Sequence, residues 1–153
     1  MSIEARLAEL NLELPPAPPR GGVYQPVVIT GNLAYISGHG PYQADGSYMT
    51  GRLGDDLDVE AGQAAAKQTG LALLATMKEQ LGSLDRIKRV VKMLGMVNAA
   101  PDFEQHPAVI NGCSELFRDV FGEDAGVGAR SAVGMGSLPG KLAVEIEVIF
   151  EVE

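Results

Sequence analysis

The 153-residue chain is poor in cysteine and histidine and short of positive charge, and each shortage excludes something. Its single cysteine, Cys113, has no partner for an intrachain disulfide, so packing must hold the fold, and a cytoplasmic setting is expected. His39 and His106 show no short spacing to one another or to Cys113, so the donor set of a metal site is missing. Lys and Arg number 12 against 20 Asp and Glu, for a net charge of −8. That balance argues against nucleic acid as a partner, because phosphate binding draws on clustered cations. The densest basic run, Arg86-Ile87-Lys88-Arg89-Val90-Val91-Lys92, reads instead as the solvated side of a strand entry. No apolar run approaches the roughly 18–20 residues of a membrane span. The first residues lack the basic start and apolar segment of a secretory signal, and no membrane partner is expected. Phosphate-cradling loops are missing too: Gly134-Met135-Gly136 is followed by Pro139 and no helical pattern.

What is present suits one globular domain spanning residues 1–153, with 46% hydrophobic and 21% charged residues. Within it, residues 1–20 read as an N-terminal helix and a Pro-rich connector. Ile3, Leu7 and Leu10 recur at helical spacing behind Ser2, a good cap. Leu14-Pro15-Pro16-Ala17-Pro18-Pro19 then forms a stiff spacer. The β-branched and aromatic runs 23–29 and 33–37 flank Thr30-Gly31-Asn32, a hairpin with a tight Gly-Asn turn. Residues 42–54 are turn-rich, with room for one short strand. A long helix is predicted over 59–81, stopped by Gly82, with a stripe that begins small (Gly62, Ala66, Gly70) and lets its axis lie close to a sheet. A strand over 87–97, a second helix over 104–121 with Cys113 on its apolar stripe, and strands over 129–135 and 142–152 complete the chain.

The pattern implies an α+β fold: a six-stranded mixed sheet with two helices on one face. The last strand is apolar at Leu142, Val144, Ile146, Val148 and Phe150, and again at Ala143, Ile149 and Val152. Read as apolar on both faces, it calls for cover on both, and hence for an oligomer whose sheets pack together.

Two segments carry the chemistry. Gly128-Ala129-Arg130-Ser131-Ala132-Val133 sets an arginine on a strand, and Leu142-Ala143-Val144-Glu145-Ile146-Glu147-Val148 sets two acids in another. A guanidinium is shaped to hold a carboxylate through paired hydrogen bonds. A partly buried carboxylate can move protons and direct water. Together they are the minimum equipment for hydrolysing a small amino-acid-derived substrate, although an Arg130–Glu145 ion pair is an equally good reading of these residues alone.

Residues 23–38, the segment Asp102-Phe103…Asn111…Glu115-Leu116-Phe117, and Ala129-Arg130-Ser131…Leu138-Pro139…Val144-Glu145-Ile146-Glu147 resemble the YjgF/RidA family of reactive-intermediate imine and enamine deaminases. The resemblance covers nearly all of the chain beyond the N-terminal helix. It implies a chorismate-mutase-like fold and a homotrimer with ligand clefts between subunits. The implied activity is cofactor-free hydrolysis of imines and enamines such as 2-aminoacrylate to 2-keto acids and ammonia. Some members carry an older ribonuclease label, which the net charge of −8 makes unattractive here.

By the same resemblance, Arg130 grips a small-molecule carboxylate and Glu145 positions water. Tyr24, Ser37, Gly38, Asn111 and Ala132 line the ligand, and His39 is a second-line candidate. Ala132 stands where many members have cysteine, and His39 where glutamine is common. The alternative is a non-catalytic trimeric module that binds small metabolites.

Overall fold

The computed structural model describes residues 1–153. The chain runs α1 (Ile3–Glu9), β1 (Val27–Thr30), β2 (Leu33–His39), α2 (Val59–Leu81), β3 (Ile87–Asn98), α3 (His106–Phe121), α4 (Glu123–Gly126), β4 (Ala129–Met135) and β5 (Val144–Val152). The strands form one mixed sheet in the order β1-β2-β5-β3-β4, in which only β3 and β4 pair in parallel. Such a parallel pair needs a crossover, and α3 supplies it. The other helix, α2, connects β2 to β3, which both lie antiparallel to β5. Both long helices cover one face, α2 over β2 and β5, α3 over β3 and β4.

Local signals explain these elements. Ser2 Oγ accepts from the Ala5 amide to cap α1, and Asp58 accepts from the Ala61 amide to cap α2. Gly82, at φ 83°, ends α2 in a conformation that L side chains rarely adopt. Gly31, at φ 59°, allows the two-residue turn between Thr30 and Leu33, which face each other across the hairpin. The core lies between helices and sheet, with Phe117 of α3 tilted against Phe150 of β5 at 5.8 Å between ring centroids.

Three expectations need correction. The sheet has five strands, not six. Residues 42–54 make only isolated bridges, Tyr42 with Tyr48, Thr50 with Leu142, and Leu53 with Ala99 and Leu57. The segment is pinned as a loop, with Arg52 donating to Asn98 Oδ1 and to the Gly136 carbonyl. Second, β5 is apolar on one face only. Val144, Ile146, Val148, Phe150 and Val152 are buried under the helices, while Glu145, Glu147, Ile149 and Glu151 alternate with them on the other side. Val152 belongs to the first set by parity, which leaves the second mostly acidic. Third, the small stripe of α2 faces the neighbouring helix. Side chains on Gly62 and Gly70 would strike Val109 and Leu116 of α3.

The reason to expect a second layer therefore shifts from one strand to the whole sheet. No helix covers the face that bears Val28, Tyr35, Leu94, Val133 and Ile149, and Val28, Tyr35 and Val133 are exposed there.

Candidate functional site

Pairing register places Arg130 opposite Met93, which in turn faces Val148. Met93 and Val148 are buried under the helices, so Arg130 lies on the helix side of the sheet, at the β4 edge. One terminal nitrogen of its guanidinium donates to Asn111 Oδ1 at 2.7 Å and to Ser114 Oγ at 3.1 Å, both on α3. No carboxylate of the chain pairs with it. Asn111 and Ser114 thus orient the fork while its other nitrogens carry no hydrogen bond within the chain. Ala132 sits two residues further along β4 on the same side, opposite Gly95, and packs against the core. A cleft of about 330 Å³ opens beside Arg130 and Asn111.

Glu145 lies on the opposite face. It pairs with Met96 of β3, one alternation out of phase with the buried Val144 and Ile146. Arg130 and Glu145 of one chain are therefore separated by the sheet, and the ion pair that the sequence left open does not form. Glu145 lines a second cleft of about 400 Å³ with Tyr24, Ser37, Gly38, His39, Tyr48 and Arg20.

Local structure shapes that second cleft. β2 and β5 lose register between Ile36 and His39, so a bulge lifts Ser37 and Gly38 out of the ladder. A Cβ on Gly38 would overlap the Glu145 carboxylate, so only glycine leaves that carboxylate its place. Ser37 donates its hydroxyl to the Gln25 carbonyl at 2.7 Å. Tyr24 does not continue a strand: its hydroxyl accepts from the Gly21 amide at 3.0 Å, closing a short loop. Burial, helped by the phenols of Tyr42 and Tyr24, raises the Tyr48 pKa, so Tyr48 stays a neutral hydrogen-bond donor in the cleft wall.

Glu145 has a raised pKa, chiefly because it is partly desolvated and secondarily because Glu147 lies two residues away on the same face. It takes part in no ion pair. His39 is different. It returns to the helix side after the bulge and is buried. Nδ1 lies 2.7 Å from the Ser37 carbonyl, which can only accept, so that nitrogen carries the proton. Nε2 then accepts from Thr76 Oγ1 at 2.7 Å. Burial lowers its pKa and keeps the neutral ring that this pattern requires. With both nitrogens committed, His39 ties β2 to α2. The Cys113 thiol is fully buried and pushed far up by desolvation, as an inert core residue should be.

The candidates thus divide into two half-sites. Tyr24, Ser37, Gly38 and Glu145 meet on one side of the sheet, with His39 beneath them. Arg130 and Asn111 meet on the other, with Ala132 beside them. Three residues were missed from the sequence: Ser114, Arg20 and Tyr48. Ser114 lies one helical turn from Asn111, a spacing that puts both on one helix face and could have revealed it. Arg20 sits at the end of a spacer and carries no such signal.

A family described as "YjgF/chorismate mutase-like, putative endoribonuclease" matches residues 4–141. Protein TCP17 of Trypanosoma cruzi is 42% identical over 149 residues, which is 97% of this chain and 93% of the relative. A structure of unknown function from Agrobacterium tumefaciens is 43% identical and superposes with a TM-score of 0.90, covering 99% of this chain and 94% of its own. RidA from an Antarctic Psychrobacter is 28% identical with a TM-score of 0.61, covering 89% of this chain and 94% of its own. Bulged strand, edge arginine and acid-bearing last strand are thus set in a fold shared along nearly the whole chain, and the chain belongs to the YjgF/RidA family.

Proposed function

We propose that the protein hydrolyses small reactive imines, formed from enamines of the 2-aminoacrylate type, to 2-keto acids and ammonia, in clefts that neighbouring copies of a homotrimer complete. The observation that carries this reading is the division of the candidate residues between the two faces of one sheet. An arginine with a largely vacant fork stands at one edge, and an unpaired carboxylate of raised pKa stands across the sheet. Each half lacks what the other holds. A second copy bringing its Arg130 to the first copy's Glu145 would unite them without moving either backbone.

In such a cleft the substrate carboxylate lies on the Arg130 fork, held in place by Asn111 and Ser114. Tyr24 and Tyr48 border the organic part of the substrate. Water bound to Glu145 attacks the iminium carbon. As the C–O bond forms, the C=N π pair moves to nitrogen and Glu145 takes one proton from the water. The protonated carboxyl then delivers that proton to nitrogen. Collapse of the carbinolamine breaks the C–N bond and releases ammonia, while the hydroxyl passes its proton to the regenerated Glu145 carboxylate and leaves the 2-keto acid. A raised pKa suits this shuttle, because the group must both take and return a proton near neutral pH.

The test couples the protein to an amino-acid oxidase that generates imines and follows keto acid release above the spontaneous rate. Acceleration is expected. Arg130→Ala should lower kcat/KM by about 10- to 100-fold or more, the range for losing a charge-assisted pair of hydrogen bonds. Keto acid binding with no acceleration would instead favour the non-catalytic metabolite-binding reading.

A further inference from the structure

Arg20 occupies the Glu145 cleft without a task in the chemistry above. It is the only Lys or Arg lining that cleft and takes part in none of the chain's ion pairs. Its single hydrogen bond runs from one terminal nitrogen to the Tyr24 carbonyl at 3.1 Å. Together with the Gly21 amide donating to the Tyr24 hydroxyl, this closes residues 20–24 into a small ring of contacts beside the cleft.

The arm that presents it is stiff. Leu12 and Leu14 pack against the core, Pro15 is buried, and Pro16, Pro18 and Pro19 restrict the backbone up to Arg20. A guanidinium on a rigid support loses less conformational freedom on binding than one on a loose tail. Most of its fork is left without a partner in the chain, facing a space of about 400 Å³. Arg20 and Glu145 form no ion pair although both line the cleft.

We propose that Arg20 receives a second carboxylate on the substrate, so that the preferred substrates are imines of dicarboxylic amino acids rather than of small apolar ones. This rests on the reading that Arg130 of a neighbouring copy holds the first carboxylate. Two guanidinium forks then grip the two ends of the molecule, with Glu145 acting on the imine carbon between them. A second anion entering a cleft that already holds an acid needs such a counter-charge, and Arg20 is the group placed to supply it.

The experiment compares imines generated from aspartate or glutamate with the imine of 2-aminobutyrate, using the full-length protein. The selectivity ratio, kcat/KM for diacid over monoacid, is measured for wild type, Arg20→Gln and Arg20→Lys. The ratio is expected to favour the diacid by about tenfold or more and to fall about 10- to 100-fold in Arg20→Gln, mainly through KM, with partial recovery in Arg20→Lys. A parallel titration measures binding of 2-oxoglutarate against 2-oxobutanoate. Wild type without preference, or a preference that survives Arg20→Gln in a variant of unchanged thermal stability, overturns the proposal. Turnover of both imines at a ratio insensitive to Arg20 overturns the diacid site and leaves deamination standing. No turnover of either, with an Arg20-dependent preference among keto acids, does the reverse.

Discussion

Glu145 concentrates the tension between stability and function in one side chain. Desolvation and Glu147 raise its pKa, so the charged form is worse off in the folded chain than in the unfolded one. Below the ordinary carboxylate pKa the group is protonated in both states and contributes nothing. As pH rises from there to the raised value, the unfolded chain gives up its proton first, and folding stability declines. Glu145→Gln should remove that decline, leaving a melting temperature at neutral pH equal to or above wild type while turnover is lost. Melting curves at acidic and neutral pH read the sign directly, and a variant less stable at neutral pH would contradict it. Gly38→Ala tests the same carboxylate from outside, since its methyl would occupy the carboxylate's position. It should cut kcat/KM by at least about tenfold with the fold intact by circular dichroism. Strand alternation read from the sequence puts Glu145 and Glu147 on one face. It does not tell that Arg130 lies on the other, because that relation is fixed by the register of β3 against both β4 and β5.

The elements that were legible are those bounded by local chemistry. α2 starts at Asp58 and stops at Gly82 because a side-chain cap and a positive-φ glycine act within a few residues, and its limits match the expected 59–81. β4 matches residue for residue. The errors arise where tertiary contacts decide. Tyr24 turns back onto Gly21 and shortens the first strand to Val27–Thr30, and Gly122 is followed by the unforeseen short helix α4. The facing of the small stripe is another such case, for periodicity gives the stripe but not what lies against it. The α2–α3 contact is close enough that a Cβ on Gly112 would overlap the Gln63 carbonyl, a backbone atom that has nowhere to go without moving the helix. Gly112→Ala should therefore destabilise the fold by about 1–3 kcal/mol or more, although alanine is the better helix former. Urea unfolding measures this, and a stabilised variant would mean that the helices separate at little cost.

At the scale of the molecule, one sheet has a helical layer on one side and a bare, partly apolar face on the other. Val28, Tyr35 and Val133 stand exposed there, while Val23 at the tip of the Tyr24 loop is fully exposed. A chain that also splits its candidate site across the sheet would gain from assembly twice, by covering that face and by completing its clefts. Light scattering should report about three chains of 16.1 kDa, and a stable monomer would remove the basis for shared clefts. Mixing variants gives a sharper test. Arg130→Ala keeps Glu145, and Glu145→Gln keeps Arg130, so each alone has only half-equipped clefts and should keep only a small residual activity. Where the two chains assemble at random in equal amounts, about a quarter of the clefts draw Arg130 from one chain and Glu145 from the other, as closed cyclic symmetry with one donor and one acceptor face per copy requires. Co-expressed chains should then regain about a quarter of wild-type activity, and separately purified, unmixed assemblies should stay at the lower residual level of the single variants. If Arg130 and Glu145 acted within one chain, no mixture could restore anything. Recovery would therefore locate the reaction between copies, where the sheet no longer stands between the arginine and the acid.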